Sequence, residues 1–201
     1  MTEPLGIAAL LSGEGRSVLN LARSIRECEL HAEIRVVIAH DASLAGVTRC
    51  RETGLDVRIV SEKDRDACSD AIDLILRDAG VELICLCGYL RRFRVGDLWR
   101  GKVLNIHPSL LPEFGGKGMY GRRVHQAVLD AGRGQTGCTV HWVDEEYDRG
   151  PIILQERCEV RENDDSETLA ARVFELECSA YPRAIERITS KLRASASMCE
   201  S

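Results

Sequence analysis

The sequence predicts an α/β fold in which a mostly parallel, twisted sheet is flanked by helices and ends in a C-terminal antiparallel hairpin. Short apolar runs rich in Val, Ile and Leu alternate with longer segments of helical periodicity, as expected for parallel βαβ units. The last two apolar runs are joined by an acidic turn instead of a helix, which favours a hairpin. With 201 residues, 44% of them hydrophobic, the chain can bury the core of one domain.

Seven short apolar runs are predicted strands, because each is brief and rich in branched aliphatic side chains. They are residues 6–11, 34–39, 57–60, 83–86, 103–106, 138–143 and 152–155. In a sheet of βαβ units, ligands bind beyond the carboxyl ends of the strands. The loops that follow these runs are therefore where binding and catalytic residues are expected.

Four longer segments are predicted helices. They cover residues 17–28, 64–79, 124–131 and a long stretch from about residue 166. In the second segment Ala67, Ala71 and Ile75 recur at four-residue spacing, so they share one helix face. The end of the chain is charged and rich in small residues, which predicts a flexible tail at residues 195–201.

Charge and composition argue against several kinds of partner. Lys plus Arg number 27 against 32 Asp plus Glu, and no basic block is present, so neither nucleic acid nor a membrane is an expected partner. The apolar run at residues 5–11 is too short for a signal sequence or a spanning helix, which predicts a cytoplasmic location. The nine cysteines include no Cys-x-x-Cys pair, so reduced thiols and no metal site are expected.

The octapeptide NIHPSLLP at residues 105–112 is the most informative motif. It lies where a strand becomes a loop stiffened by Pro108 and Pro112. Asn105 and His107 are two positions apart on an extended chain, so their side chains point to the same side. An amide N–H beside a protonatable ring suits an oxygen that gains negative charge, as in acyl transfer. The alternative is a turn in which the asparagine caps a bend and the histidine only packs.

The loop after the first strand is predicted to bind one phosphate. Gly13 and Gly15 allow the backbone to approach a ligand closely, and Arg16 and Ser17 open the following helix, whose free N–H groups attract an anion. The pattern lacks the Lys-Ser/Thr pair of a P-loop and the third glycine of a dinucleotide fingerprint. A tight strand-to-helix turn without a ligand is the alternative.

The acidic loop at residues 144–151 is the second candidate for catalysis. Asp148 precedes Arg-Gly-Pro, where the chain must reverse into the last strand, so its side chain is expected to be held near fixed backbone. A carboxylate close to His107 would raise the pKa of the imidazole and favour its charged form. Taken alone, an acidic run of this kind is more often a solvated turn.

Taken together, these motifs closely resemble the phosphoribosylglycinamide formyltransferases, the folate-dependent transformylases of purine biosynthesis. The resemblance is carried by the octapeptide, by TGCTVH at residues 136–141 and by DRGPII at residues 148–153. It extends over nearly the whole chain, including GYLR at residues 88–91 and Glu177-x-x-x-Tyr181-Pro182. It implies a single-domain, Rossmann-like formyltransferase fold over residues 1–194, with a phosphate-binding half at about 1–100 and a catalytic and folate-binding half at about 101–194.

The resemblance also implies roles for individual residues. Asn105, His107 and Asp148 would be catalytic, the formyl donor would be 10-formyltetrahydrofolate, the acceptor would be glycinamide ribonucleotide, and no metal would be needed. The implied acceptor-binding residues are Gly13, Gly15, Arg16, Ser17, Gly88, Pro108 and Glu177. The implied donor-binding residues are Leu90, Arg91, Arg92, Phe93, His141, Glu145, Tyr147 and Gly150. The chain would act as a monomer or homodimer.

Some side chains keep two interpretations. His141 can face the site or be a buried core residue, since strand alternation alone does not decide between them. Glu177 borders the apolar stripe of the last helix and is either a ligand-binding carboxylate or a surface one. The glycine-rich segment at residues 115–121 is a mobile lid or a long turn, and His125 is expected only to orient it.

The chain departs from the family pattern in ways that affect ligand affinity. Glu14 and Arg16 stand where many members have asparagine and serine, and Arg92 replaces a commonly apolar position. The alternatives are a formyltetrahydrofolate hydrolase, a methionyl-tRNA formyltransferase and a non-catalytic nucleotide-binding module. The first two are disfavoured because no room is expected for an N-terminal regulatory domain or a C-terminal RNA-binding domain. The third is disfavoured by the intact catalytic trio.

Overall fold

The computed structural model describes residues 3–199, with side chains described up to residue 190. The predicted α/β class is confirmed. The strands are β1 (Leu5–Leu11), β2 (Ala32–Ala39), β3 (Val57–Ile59), β4 (Leu83–Cys87), β5 (Val103–His107), β6 (Gln135–Trp142) and β7 (Ile152–Glu159). The helices are α1 (Arg16–Arg26), α2 (Ala45–Glu52), α3 (Arg65–Asp78), α4 (Gly96–Trp99), α5 (Arg122–Asp130) and α6 (Ser166–Cys199).

The strands form one sheet in the order β3-β2-β1-β4-β5-β6-β7. The first five of these in space are parallel, and β6 and β7 are antiparallel, which confirms the predicted mixed sheet with a C-terminal hairpin. Strand β6 also pairs antiparallel with β5, and this register sets Asn105 opposite His141 and His107 opposite Thr139. Two strands therefore bring polar side chains to the same end of the sheet.

The core lies on both faces of the sheet, which explains why the central strands are apolar without interruption. In β1, Ile7, Ala9 and Leu11 belong to the cluster under α1, α2, α5 and α6. Ala8 and Leu10 face the opposite cluster, with residues of α3 and α4. A strand covered on both faces cannot show the alternation of an exposed sheet, and its short apolar run is the expected signature.

Two helices, α2 and α4, were not among the predicted segments. Helix α2 has eight residues, no side-chain cap and only three buried residues, among them Val47 and Cys50, so it carries little periodic signal. Helix α4 has only four residues. By contrast, α3 begins as predicted after Asp64, whose carboxylate accepts hydrogen bonds from the N–H groups of Asp66 and Ala67.

Helix α6 runs from Ser166 to Cys199 and continues through Pro182. The side chains of the predicted flexible tail, residues 195–201, and the whole of residues 200 and 201, lie outside the described part of the chain. Among the described residues, no helix combines the length and the apolar character needed to cross a membrane. The eight cysteines with described side chains are all free thiols.

Tyr181 connects α6 to the sheet. Its buried hydroxyl lies 3.1 Å from the carbonyl oxygen of Leu86 in β4 and 3.2 Å from that of Leu104 in β5, so its one proton is shared between them. We expect Tyr181→Phe to lower the free energy of unfolding by about 1–3 kcal/mol, because the two buried carbonyls lose their shared donor. Urea unfolding measures this loss. Tyr120→Phe, which changes an exposed phenol, serves as the control and should leave stability unchanged.

Candidate active site

A cavity of about 690 Å³ opens at the carboxyl ends of β1, β4 and β5. It is lined by the glycine loop, the segment after β4, the octapeptide, the acidic loop and two side chains of α6, Phe174 and Glu177. All but one of the predicted site residues line this cavity. A groove of about 720 Å³ between α1 and α6 contains none of them.

Gly150 is the exception, because it does not line the cavity. A Cβ atom at this position would lie 1.8 Å from the carbonyl oxygen of Trp142. Gly150 therefore allows two backbone segments to pass closely where the chain turns into β7. Its predicted contact with the donor stays a prediction.

Asn105, His107 and Asp148 converge in the cavity, although 43 residues separate Asn105 from Asp148. The Asn105 amide nitrogen lies 3.4 Å from Asp148 Oδ1, and His107 Nδ1 lies 3.5 Å from Asp148 Oδ2. The strand periodicity places the first two side chains together, and the β6–β7 connection brings the carboxylate to them.

The glycine-rich loop at residues 115–121 positions the Asp148 carboxylate. The Gly116 N–H donates to its Oδ2 at 2.9 Å, and Asp148 itself has a φ of +56°, which is uncommon for a residue other than glycine. A side chain at Gly115 would collide with Leu111 and press on the Cβ of Asp148. The small residues of this loop therefore allow the carboxylate to reach the imidazole.

His141 both faces the site and is buried, which resolves its two interpretations. Its Nδ1 lies 2.8 Å from the carbonyl oxygen of Trp142, so this nitrogen carries a proton in the neutral ring. Its Nε2 then accepts a hydrogen bond from the Asn105 amide at 3.2 Å. The antiparallel pairing of Asn105 with His141 creates this contact, which orients the Asn105 amide.

A hydrogen-bond network centred on Thr139 fixes the loop after His107. The Thr139 hydroxyl donates to the carbonyl of Ser109 at 2.7 Å and accepts from the N–H of Leu111 at 3.1 Å. The Gln155 amide contacts both the Thr139 hydroxyl and the Leu111 carbonyl. The rigidity that the sequence assigns to Pro108 and Pro112 is thus supplemented by two strands of the hairpin.

The protonation of His107 differs from the prediction. Its Nε2 lies 2.9 Å from the carbonyl oxygen of Phe114, so Nε2 carries the proton of the neutral ring and Nδ1 is the atom that titrates. Burial lowers the pKa of His107 below its ordinary value, and the Asp148 carboxylate and Phe114 carbonyl offset this only in part. The predicted effect of the carboxylate is confirmed in its sign, but desolvation outweighs it, so the net pKa of His107 is lowered.

The carboxylate of Asp148 remains ionised in this setting. Burial acts to raise its pKa, but the imidazoles of His141 and His107, when charged, and the Gly116 N–H together outweigh burial, so its pKa lies below the ordinary value. The free protein thus contains a neutral His107 beside an anionic Asp148. A proton arriving at His107 Nδ1 would meet a negative charge, which stabilises the imidazolium once it forms.

The glycine loop joins β1 to α1 as predicted, and helix α2 packs against it. Gly15 has a φ of +73° and precedes α1, and a Cβ at Gly46 would lie 2.5 Å from the carbonyl oxygen of Gly13. Helix α2 therefore packs directly on the loop backbone. Glu14 lies 3.4 Å from Arg49 of the same helix, and this ion pair reduces the repulsion that Glu14 would exert on a phosphate.

Arg16 is stacked on an aromatic ring of α6. Its guanidinium carbon lies 3.6 Å from the centroid of the Phe174 ring, a cation–π contact that holds the charge at the cavity. One turn along α6, Glu177 faces the same cavity. Burial raises the pKa of Glu177 to about 7, and the charge of Arg16 offsets this only in part. A cation suited to phosphate and a carboxylate suited to hydroxyl groups thus lie side by side.

The predicted donor-binding segment forms the opposite wall. Leu90 and Tyr147 expose 54% and 45% of their surface, which leaves apolar area for a flat ring system. Arg92 donates to the carbonyl of Glu145 at 2.7 Å and lies 5.8 Å from the Tyr147 ring, so it joins the two loops of this wall. Phe93 is mainly a core residue, packed on the cluster of α3 and α4.

Several cavity residues were missed by the sequence interpretation. Phe174, Tyr120 and Arg123 line the cavity, and the last two form a further cation–π pair at 5.1 Å. Phe174 lies three residues before Glu177 and so shares its helix face, which is the signal that could have found it. Among the described residues, no group of three or more His, Cys, Asp or Glu side chains is arranged to hold a metal ion.

Removal of the Glu177 carboxylate should stabilise the free protein at high pH. A raised pKa means that ionisation destabilises the fold, so the penalty is absent below the unfolded pKa of 4.5 and complete above about 7. We expect Glu177→Gln to gain up to about 3 kcal/mol near pH 8 and nothing near pH 4. Urea unfolding at both pH values tests this, with Glu175→Gln on the same helix as the exposed control. Equal stabilities of the wild type and Glu177→Gln at pH 8 would contradict the assigned burial.

The formyl transferase family model matches residues 5–185 of this chain. The chain belongs to this family. Among solved structures, glycinamide ribonucleotide transformylase 1 from Symbiobacterium toebii is 35% identical, with a TM-score of 0.84 over 92% of this chain and 88% of the other. The phosphoribosylglycinamide formyltransferase from Brucella melitensis is 34% identical, with a TM-score of 0.83 over 92% of this chain and 95% of its own.

Curated relatives of the family include longer proteins. The trifunctional purine biosynthetic protein adenosine-3 of Gallus gallus is 39% identical over 194 residues, which are 94% of this chain and 19% of that protein. The chain therefore spans between 14% and 19% of the length of the trifunctional relatives. The chloroplastic phosphoribosylglycinamide formyltransferase of Vigna unguiculata is 36% identical over 90% of this chain and 60% of its own length.

Proposed function

We propose that this formyltransferase transfers a formyl group from 10-formyltetrahydrofolate to the amine of glycinamide ribonucleotide. The observation that carries the proposal is the meeting of Asn105, His107 and Asp148 between two chemically different walls of one cavity. One wall has a glycine loop, a stacked arginine and a half-buried carboxylate, which suit a ribose phosphate. The other exposes apolar and aromatic surface, which suits a reduced pterin.

The proposed chemistry begins with a neutral His107. The formyl donor supplies an electrophilic carbon whose oxygen gains negative charge when the amine attacks. The Asn105 amide, oriented by His141, donates a hydrogen bond to that oxygen. His107 takes the proton released by the attacking amine at Nδ1, because its lowered pKa leaves this nitrogen free.

The proton must then reach the departing folate nitrogen. Asp148, ionised and held by Gly116, stabilises the imidazolium of His107 during this interval. The imidazolium can then act as the acid for the leaving group, directly or through a water molecule. Asn105 thus stabilises the developing charge, His107 transfers the proton, and Asp148 supports the charged ring.

Several further points belong to this proposal. Glu177 would accept hydrogen bonds from ribose hydroxyls. The loop at residues 13–17, which includes Arg16, would hold the phosphate. The expected partners are these two small molecules, without nucleic acid or membrane. The cytoplasmic location and the monomeric or homodimeric state stay predictions.

A spectrophotometric assay of tetrahydrofolate formation tests the proposed function. Product should appear with 10-formyltetrahydrofolate only when glycinamide ribonucleotide is also present. Turnover at the same rate without the amine would favour the hydrolase alternative, in which water accepts the formyl group. Absence of turnover in both cases, with the nucleotide still bound, would favour the non-catalytic binding module.

A further inference from the structure

His125 is a buried imidazole that the chemistry above does not use. It lies in the first half of α5, directly after the glycine-rich segment, and its ring lines the cavity while exposing only 4% of its surface. Its Nδ1 is sealed inside the protein and has no hydrogen-bond partner among the described residues. A buried polar atom without a partner destabilises a fold, and an apolar residue of similar size would avoid that cost.

The two tautomers of His125 differ in what they offer to the cavity. Nδ1 is unpaired in both, and the tautomer with its proton on Nε2 directs an N–H donor to the cavity. Burial lowers the pKa of His125 to about 4, and a charge on His107 would act in the same direction. The ring therefore stays neutral near pH 7 and offers a single N–H donor to the cavity.

His125 lies on the side of the cavity proposed to bind the acceptor. Helix α5 packs against α6, which carries Phe174 and Glu177, whereas the donor wall is formed by loops after β4 and β6. His125 thus lines the same cavity as His107, on a helix that packs against the one bearing Glu177.

We infer that His125 is an acceptor-binding residue, whose Nε2–H donates a hydrogen bond to a carbonyl or ribose oxygen of glycinamide ribonucleotide. The inference rests on the proposed function, because it assigns a contact within the same substrate. It replaces the expectation that His125 only orients the glycine-rich segment. A neutral donor at this place would distinguish an oxygen from a positively charged group.

The test compares His125→Leu and His125→Gln with the wild type. The leucine variant removes the donor, so the KM for glycinamide ribonucleotide should rise about three- to tenfold, while the KM for 10-formyltetrahydrofolate stays unchanged. The glutamine variant keeps an N–H donor and should restore part of the affinity. Because an unpaired polar atom disappears, His125→Leu should unfold at a urea concentration no lower than that of the wild type.

Thr136→Val is the matched control. Thr136 Oγ1 is the other buried side-chain atom without a partner among the described residues, and Thr136 does not line the cavity. Its replacement should leave both KM values unchanged. A competition assay with ribose 5-phosphate locates the oxygen: a weaker inhibition of His125→Leu assigns it to the ribose phosphate, and an unchanged inhibition assigns it to the glycinamide carbonyl.

The inference is overturned if His125→Leu is folded and its KM for glycinamide ribonucleotide equals that of the wild type. It is also overturned if the leucine variant loses stability and only the KM for the folate donor changes. Failure of the proposed function has a different signature, since the wild type itself would then show no turnover that depends on the amine.

Discussion

His107→Ala should lower kcat by about a thousandfold, within the range of 10²–10⁴ that is usual for loss of a proton-transfer residue. The imidazole Nδ1 is the free base in the cavity, because Nε2 is committed to the carbonyl of Phe114. Without it, the proton of the attacking amine must leave through bulk water. The KM values should change little, since the walls that bind the two substrates are untouched. Steady-state kinetics with both substrates varied measures kcat and the two KM values separately.

A second substitution separates chemistry from packing. Because His107 is buried, alanine leaves a void and an unpaired carbonyl, which also reduces stability. His107→Gln can still donate to the Phe114 carbonyl but cannot transfer a proton near neutral pH. A folded glutamine variant with kcat near that of the wild type would rule out the proton-transfer role.

Asp148→Asn should lower kcat by about a hundredfold and shift the pH dependence of the remaining activity. The carboxylate raises the pKa of His107 against the stronger effect of burial. Its neutralisation therefore lowers that pKa further, and the imidazolium that forms during turnover becomes less stable. Since His107 must be neutral to accept a proton, activity falls at low pH, and this acidic limb should move to lower pH in the variant.

The pH profile of kcat/KM tests this prediction, because it reports the pKa values of catalytic groups in the free enzyme. Asp130→Asn, which removes one surface charge from α5, is the control and should leave the limb in place. An acidic limb that stays fixed in Asp148→Asn, or moves to higher pH, would show that Asp148 does not act on His107.

The strands of the sheet and the reactive octapeptide could be predicted from local patterns. Fully buried runs such as that of β1 and the two-residue spacing of Asn105 and His107 depend only on neighbours along the chain. Helix α2 could not be predicted in this way, because its role is to place Gly46 against the glycine loop, a contact between distant backbone segments. Its sequence carries hardly any amphipathic pattern.

The sequence by itself determined the order of the strands, the glycines of the loop after β1 and the chemical nature of the candidate catalytic groups, because these depend on short-range geometry and residue chemistry. Only the tertiary structure decided that His141 contacts Asn105, that Gly150 packs against the Trp142 backbone, and that His125 keeps an unpaired nitrogen. It also showed that burial outweighs the effect of Asp148 on the pKa of His107. The reason is that strand register, close backbone packing and desolvation arise from residues far apart in the chain, and local periodicity contains no information on them.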